Sequence, residues 1–482
     1  MRLRPVLHLL GYLWFGLGLM MLLPIAVDLI YGGGVWDEFL MAAGVATFVG
    51  LAMTITTAGE PLRLRARQAF LVTGASWVTS GFVVAMPLIF AGVGDGPVDA
   101  IFEAFSGLTT TGATVLTNLE SLPRAILFWR ALLQWLGGIG VIVMAIAIFP
   151  FLGIGGMALF RTESSDKSEK VLPRTREIAV RIAGLYAFLS FTCAVVYWLG
   201  GMSGFDAITH AMTTVSTAGY SNYDASFAAF PQLSVHWIAV VFMILGALPF
   251  ALYIQLMSRG DFRLVLTNPQ VRSFFVFLVA IVGILTLWLM TNLEISAMEA
   301  ATLAALNVTS VVTTTGYANS DYSAWGAFPF ALFVLLMFVG GCTGSTAGGI
   351  KIYRHQVSGI ILMAQLRRLL FPNAVVITQY DGKAITPQIV ASINAFLTVA
   401  FGSILLITVA LGAFGLDFVT AFSAAVTAVM NVGPGLGPEV GPASTFAGLP
   451  DGAKGLIAFA MVLGRLEFFT LLILLVPAFW RD

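Results

Sequence analysis

The chain has 482 residues, of which 59% are hydrophobic and only 10% are charged, and its formal net charge is zero. A soluble domain carries about 25% charged residues, so this composition excludes a water-soluble globular protein and argues against a nucleic-acid-binding surface. The two cysteines lie far apart and the four histidines are scattered, which predicts neither a disulfide framework nor a metal cluster. Long apolar runs instead predict an all-α polytopic membrane protein embedded in a lipid bilayer.

Ten membrane spans are predicted from apolar runs near the length of about 20 residues that crosses the hydrocarbon. They are expected at residues 8–31, 37–57, 69–92, 125–152, 181–200, 234–257, 272–292, 327–350, 389–412 and 454–479. The first run is interpreted as a span rather than a signal peptide, because no convincing small-residue cleavage site follows it. Two extra N-terminal spans thus fall in residues 1–60, and four pairs of spans follow in residues 61–160, 161–260, 261–388 and 389–482.

Each of these four pairs encloses a short loop rich in glycine and hydroxyl side chains. The loops are Leu108–Thr114, Val215–Asn222, Val312–Asn319 and Met430–Gly437, which we call the first to fourth glycine loops. Their glycines, Gly112, Gly219, Gly316 and Gly433, are separated by 107, 97 and 117 residues. The near-equal spacing predicts four pseudo-repeats of helix, half-span helix, glycine loop and helix around one central pore.

Charged residues give these units a direction. An acid comes near the start of each half-span segment, namely Asp99, Asp206, Glu299 and Asp417. Each acid favours the positive end of a helix dipole, so four negative ends are expected near the membrane centre, where they favour a cation; capping alone also explains these acids. Most basic residues lie in the links between the pairs, which predicts cytoplasmic termini and outward-facing glycine loops. A docking surface for a cytoplasmic partner is a second interpretation of those links.

The glycine loops have the composition that a cation filter needs. Backbone carbonyls can replace the water around a dehydrated cation, and glycine permits the left-handed dihedrals that turn carbonyls towards one axis. The predicted filter residues are Thr110, Thr111, Gly112, Thr217, Ala218, Gly219, Thr314, Thr315, Gly316, Asn431, Val432 and Gly433. In the fourth loop Asn431 replaces a hydroxyl residue and Pro434 stiffens the turn. Packing of small residues between helices is the structural alternative.

These loops, together with the run Gly-Gly-Cys-Thr-Gly-Ser-Thr-Ala-Gly-Gly-Ile-Lys at 340–351, resemble the Trk/Ktr/HKT superfamily of potassium transporters. The similarity is greatest to its bacterial TrkH branch and covers essentially the whole chain. It implies a K⁺-channel-like fold, potassium uptake across the bacterial inner membrane, K⁺ as the transported ion and no organic cofactor. It also implies a homodimer and a cytoplasmic nucleotide-binding ring protein, responsive to NAD or ATP, as the gating partner.

The segment 340–349 interrupts an apolar span with five glycines, so the helix is expected to break there. A flexible segment that crosses the pore could act as a gate, whereas a glycine-rich packing face between helices is the alternative. The resemblance favours the gate, whose predicted residues are Gly340, Gly341, Gly344, Ser345, Thr346, Gly348, Gly349 and Lys351. Lys351 and Arg354 are then expected at the cytoplasmic mouth, where they can respond to a partner.

Arg465 lies within the last span, where an arginine usually faces a cavity or a partner. A positive charge about 6 Å from a passing K⁺ opposes it by roughly 3 kcal/mol, which predicts an electrostatic brake. The family resemblance also places a pore-facing arginine here, and an interhelical salt bridge is the alternative. Arg130 is expected to extend towards the outer membrane surface, and Arg124 and Lys454 are expected on that surface.

Four alternatives to a gated potassium channel remain at this point. Flow could be coupled to H⁺ or Na⁺, but the acids lie mostly at span ends, with Glu467 as the exception, which favours channel-like permeation. Na⁺ transport occurs in relatives where serine replaces a filter glycine, whereas all four glycines are present here. A membrane enzyme would need a clustered nucleophile, base or metal set, and a membrane anchor or sensor would leave four glycine loops unexplained.

Overall fold

The computed structural model describes residues 3–59, 64–144 and 171–481, and these are mostly helical. The helices are α1 Arg4–Met20, α2 Leu22–Tyr31, α3 Trp36–Thr56, α4 Ala66–Phe90, α5 Pro97–Leu108, α6 Arg124–Val143, α7 Val171–Leu199, α8 Gly204–Val215, α9 Leu233–Ala247, α10 Phe250–Arg259, α11 Arg263–Thr267, α12 Pro269–Asn292, α13 Ala297–Val312, α14 Ala327–Leu336, α15 Ile352–Leu370, α16 Pro387–Ala413, α17 Phe418–Met430, α18 Asp451–Arg465, α19 Phe469–Leu472 and α20 Pro477–Trp480. Strands β1 (Gln379–Tyr380) and β2 (Lys383–Ala384) pair antiparallel between α15 and α16.

Seven helices in the described ranges are long and apolar enough to cross a membrane, and two bent helix pairs raise the number to as many as nine. This is fewer than the ten spans predicted. The difference lies at residues 327–350, where the only continuous helix is α14, with 10 residues. The predicted span 125–152 is α6 as far as Val143, and its remainder lies largely outside the described residues.

The four half-span segments are helices α5, α8, α13 and α17, with 12, 12, 16 and 13 residues. At 1.5 Å per residue these helices are about 18–24 Å long, shorter than the hydrocarbon core. The structure places all four acids at their starts. Ser203 and Ser296 accept hydrogen bonds from the backbone of Asp206 and Glu299, and Asp417 is itself the N-cap of α17.

The helix that follows a glycine loop is broken in the second, third and fourth units. Helices α9 and α10 meet at 88° around Leu248 and Pro249, because proline lacks the N–H that would continue the helix. Helices α18 and α19 meet at 104°, and Glu467 and Phe468 have positive φ at this bend. The predicted spans 234–257 and 454–479 are therefore bent. The break predicted at 340–349 is observed between α14 and α15.

Packing joins successive units in the order of the chain. Helix α6 of the first unit packs on α8 of the second, and α9 of the second packs on α13 of the third. Helix α18 of the fourth unit returns to pack on α5 of the first. The half-span helices are thus held by neighbouring units, and their carboxyl ends lead into the four glycine loops. The predicted division at residues 60, 160, 260 and 388 stays a prediction.

Candidate ion-conduction site

In each glycine loop, the repeated glycine and the residue two positions before it both have positive φ. The glycines have φ values of 84° at Gly112, 78° at Gly219, 90° at Gly316 and 118° at Gly433. Two positions earlier, Thr110, Thr217, Thr314 and Asn431 have φ values of 55°, 49°, 57° and 56°. The left-handed region is uncommon for threonine, a β-branched residue. Its recurrence at the same position of three loops therefore shows one shared backbone path, and the fourth loop follows it with asparagine.

The four loops form a closed ring. A Cβ on any of the four glycines would lie against a carbonyl oxygen of the next loop, namely that of the residue directly before the next loop's glycine. Gly112 faces Ala218, Gly219 faces Thr315, Gly316 faces Val432 at 2.7 Å, and Gly433 faces Thr111 at 3.0 Å. The contacts run from the first loop to the second, third and fourth and then back to the first. A side chain at any glycine would require this ring to move.

Most carbonyl oxygens in the ring are free of protein donors. Within the described part of the chain, no group donates a hydrogen bond to the carbonyls of Thr111, Thr315 or Val432. Buried backbone carbonyls are normally paired, so oxygens left free at a shared centre can coordinate a dehydrated cation. The carbonyl of Ala218 differs, because the side-chain amide of Gln134 donates to it at 2.7 Å.

A buried ion pair supports the first and second loops from behind. Arg130 Nε donates to Glu103 Oε1 at 2.7 Å, and Arg130 Nη1 donates to the carbonyl of Ser221 at 3.0 Å. Glu103 Oε2 accepts the backbone N–H of Val115 at 3.1 Å. Arg130 is therefore buried between two loops, and the prediction that it extends towards the membrane surface is wrong. Sequence reasoning missed Glu103, whose signal was an acid inside an otherwise apolar half-span helix.

A second buried network lies beside the second loop. Asn222 Nδ2 donates to Asp206 Oδ1 at 2.8 Å, and the Tyr223 hydroxyl donates to Asp206 Oδ2 at 3.0 Å. Burial and the nearby Asp206 carboxylate raise the pKa of Tyr223 to about 12, so its phenol stays protonated and keeps donating. The acid that begins helix α8 therefore also anchors the residues that leave the second loop.

The fourth loop is joined to the first by Asn431, whose Nδ2 donates to Thr111 Oγ1 and to the carbonyl of Met461, each at 2.9 Å. Asparagine thus occupies the position that threonine has in the other three loops, and its amide joins the fourth loop to the first. At the starts of α5 and α18, Lys454 Nζ lies 2.6 Å from Asp99 Oδ1, and both side chains are buried. The prediction that Lys454 lies on the outer surface is therefore wrong.

The residues 340–349 form an irregular segment that contacts three glycine loops. The N–H of Gly348 donates to Thr314 Oγ1 at 2.6 Å, and the N–H of Gly349 donates to the carbonyl of Met430 at 2.8 Å. Thr217 Oγ1 donates to Thr346 Oγ1 at 3.0 Å. The segment therefore lies against the residues that precede the ring glycines.

A cavity lies on each side of the ring. One cavity has a volume of about 70 Å³ and is lined by residues that follow the glycines. Gly112, Gly219, Gly316 and Pro434 also line it. The other cavity, of about 30 Å³, lies beside the fourth loop and is lined by Met430 and Asn431 together with Gly348 and Gly349. Residues 340–348 are all buried, so the irregular segment fills space next to the ring.

Several buried charged side chains also line the second cavity. Arg465 Nη2 donates to the carbonyl of Thr346 at 3.0 Å, and among the described residues it makes no ion pair. The carboxylate of Glu467 instead pairs with Arg354 at the start of α15. Lys351 and Arg354 are 6% and 1% exposed, so both side chains are buried, and their place at the cytoplasmic mouth stays a prediction.

Comparison with known proteins now places the chain. The sequence model of the family described as "TrkH: Cation transport protein" matches residues 39–481. The chain belongs to this family. A Trk system potassium uptake protein TrkI from Halomonas elongata is 43% identical, over 100% of this chain and 98% of the relative. The TrkH protein of Salmonella typhimurium is 36% identical over the full length of both.

The fold of this TrkH family member is also seen in a solved structure. The crystal structure of the potassium transporter TrkH from Vibrio parahaemolyticus superposes with a TM-score of 0.92 at 35% identity, and all of both chains is covered. This match confirms the predicted all-α polytopic membrane fold and the family resemblance. The named relatives are transport proteins rather than enzymes.

Proposed function

We propose that the chain carries K⁺ into the cell through a gated, channel-like pore whose selectivity filter is the ring of four glycine loops. The closed cyclic contact between each ring glycine and the next loop's carbonyl is the observation that carries the proposal. Free carbonyl oxygens in such a ring can replace the hydration shell of K⁺. The names of the relatives, which are potassium uptake proteins, support K⁺ as the ion.

The segment 340–349 is the gate in this proposal. It fills the space beside the ring and is held there by Thr217, Thr314 and Met430. To open the pathway, these hydrogen bonds must break and the segment must move. Its many glycines lower the cost of such a rearrangement, since glycine adopts both left- and right-handed conformations readily. Arg465 places a positive charge at the same point and opposes the entry of K⁺.

Channel-like flow is favoured over coupling to H⁺ or Na⁺ by the pairing of the buried acids nearest the pathway. Glu103 is paired with Arg130, and Glu467 is paired with Arg354. Each of these carboxylates already has an arginine as its partner, and breaking a buried pair from one side is costly. A symporter would need one of these pairs to separate during each cycle.

The setting of this pore is also part of the proposal. The basic links between units support cytoplasmic termini in the bacterial inner membrane, since positive residues are retained on that side. A homodimer and a cytoplasmic nucleotide-binding ring protein complete the assembly. Membership of the TrkH family supports this context, because the relatives are named as parts of a Trk system.

Ion flux into proteoliposomes with K⁺, Na⁺ and Rb⁺ tests the function, using the wild type and Gly316→Ser. A Cβ at Gly316 lies 2.7 Å from the Val432 carbonyl, so the ring must shift. We expect K⁺ to be preferred by the wild type, and the ratio of K⁺ to Na⁺ flux to fall about tenfold in the variant, equivalent to about 1.4 kcal/mol. Gly402→Ser is the control, because a Cβ there meets nothing within 4 Å. Equal K⁺ and Na⁺ flux in the wild type would refute the proposal.

A further inference from the structure

Gln134 is a fully buried side chain of α6 whose two polar ends both contact the second glycine loop. Its Nε2 donates to the carbonyl of Ala218 at 2.7 Å, and its Oε1 accepts the N–H of Tyr220 at 3.0 Å. These two residues flank Gly219. One amide therefore fixes the peptide groups on both sides of a ring glycine, much as a neighbouring strand would.

The hydrogen bond to Ala218 has no counterpart in the other loops. The equivalent carbonyls of Thr111, Thr315 and Val432 accept no hydrogen bond from the residues that the structure describes. The Ala218 oxygen is also the one that Gly112 faces across the junction between the first and second loops. Of these four equivalent carbonyls, only that of Ala218 accepts a hydrogen bond from a side chain of the described residues, so the support of the ring is asymmetric at this position.

The face of α6 that carries Gln134 follows the second loop along its length. Arg130, one turn earlier, donates to the carbonyl of Ser221. A Cβ added at Gly138, one turn later, would lie only 2.9 Å from the Cβ of Ser216, so α6 approaches the second loop closely there. Residues spaced by four lie on one side of a helix, so α6 is a rigid support on which Gln134 occupies the position level with the ring.

We propose that Gln134 is a positioning residue that sets ion selectivity by holding the Ala218 carbonyl at the radius suited to K⁺. A loose carbonyl can move inward and coordinate the smaller Na⁺, whereas a carbonyl fixed by a buried amide resists that movement. The proposal rests on the proposed function, since it assumes that the ring is the filter. It assigns selectivity to a residue outside the glycine loops.

The test compares Gln134→Met, which removes both hydrogen bonds, with Gln134→Glu, in purified full-length protein reconstituted in liposomes. We expect Gln134→Met to lower the ratio of K⁺ to Na⁺ flux about fivefold, the factor that one ordinary hydrogen bond supplies. A protonated glutamic acid can donate to Ala218 and accept from Tyr220, as glutamine does. Gln134→Glu should therefore regain selectivity as the pH is lowered, while Gln134→Met should not.

Gln270→Met is the matched control, because Gln270 is also buried and accepts the N–H of Thr343 in the gate segment at 2.9 Å. It should alter the size of the flux but leave the K⁺ to Na⁺ ratio unchanged. An unchanged ratio in Gln134→Met overturns the role of Gln134 while leaving the filter intact. If Gln134→Met does not fold, Gln134→Glu decides the question: a ratio of K⁺ to Na⁺ flux that does not change with pH also overturns the role of Gln134. Equal K⁺ and Na⁺ flux in the wild type instead refutes the proposed function itself.

Discussion

At the scale of single residues, the proposed conduction site combines free carbonyl oxygens with a buried positive charge. Arg465 is 4% exposed, and its Nη2 contacts the carbonyl of Thr346 while its Nε has no hydrogen-bond partner in the described structure. A guanidinium with an unused donor and no paired carboxylate keeps most of its charge uncompensated. Such a charge next to a cation pathway raises the energy of a passing ion.

Arg465→Ala is therefore predicted to raise K⁺ flux. At about 6 Å and an effective dielectric of 20, the lost repulsion is roughly 3 kcal/mol, which sets an upper limit of about a hundredfold. Flux into proteoliposomes without any partner protein measures the effect. Arg259→Ala, which removes an exposed charge at the end of α10, is the control and should leave the flux unchanged. Lower or unchanged flux in Arg465→Ala would contradict the brake.

The glycines could be predicted from the sequence, whereas the side chains that hold the loops could not. Gly112, Gly219, Gly316 and Gly433 recur with a near-constant spacing that a linear reading detects. Gln134 contacts Ala218 and Arg130 contacts Ser221 across gaps of 84 and 91 residues. Nothing in the local pattern of α6 distinguishes these polar residues from any others in an apolar helix. Their roles appear only when the helix is placed beside the loop.

At the scale of elements, the gate segment is connected to the bend of the fourth unit. Arg354 begins α15 directly after the segment and pairs with Glu467, which has a φ of 53° at the bend between α18 and α19. The Arg354 guanidinium also lies 3.7 Å from the centre of the Phe396 ring. A buried ion pair costs several kcal/mol to break by removing one partner, so this pair restrains α15 against the bend.

Glu467→Gln is predicted to loosen the gate and to raise K⁺ flux in the absence of a partner protein. Because the ring is untouched, the ratio of K⁺ to Na⁺ flux should stay at the wild-type value. The control is Glu177→Gln, which breaks the exposed pair with Arg181 at 2.7 Å and should have no effect, since exposed pairs contribute little. A changed ion ratio with unchanged K⁺ flux would show that the pair supports the filter instead.

Some of the helix breaks could be predicted from the sequence and others could not, for physical reasons. Five glycines in residues 340–349 weaken a helix strongly enough that the break was expected there. Pro249 favours a break in the helix at the 88° bend. The continuous apolar sequence of α9 and α10 nevertheless predicts one straight span. The 104° bend at Glu467 and Phe468 has no glycine or proline, and both residues adopt positive φ. That conformation is stabilised by tertiary contacts, including the Arg354 pair, which are invisible in sequence.

At the scale of the whole molecule, the ring is stable only if its ends are joined. The chain begins the ring in the first unit and finishes it in the fourth, so the last junction has no short covalent link. Among the contacts that span it, Asn431 bonds Thr111 within the loops, and Asp99 pairs with Lys454 at the starts of α5 and α18. Residues 99 and 454 are 355 positions apart, and both side chains are almost fully buried.

Lys454→Met is predicted to destabilise the folded protein more than a surface change, because it leaves Asp99 buried without its partner. Breaking a buried pair from one side costs about 3–5 kcal/mol, whereas replacing both charges by neutral groups is often nearly neutral. The midpoint of thermal unfolding in detergent should therefore fall for Lys454→Met and recover in the double variant Asp99→Asn, Lys454→Met. Lys383→Met, at an exposed position in β2, should match the wild type. A double variant less stable than Lys454→Met would show that the pair itself, and not the unpaired carboxylate, determines how firmly the first and fourth units close the ring.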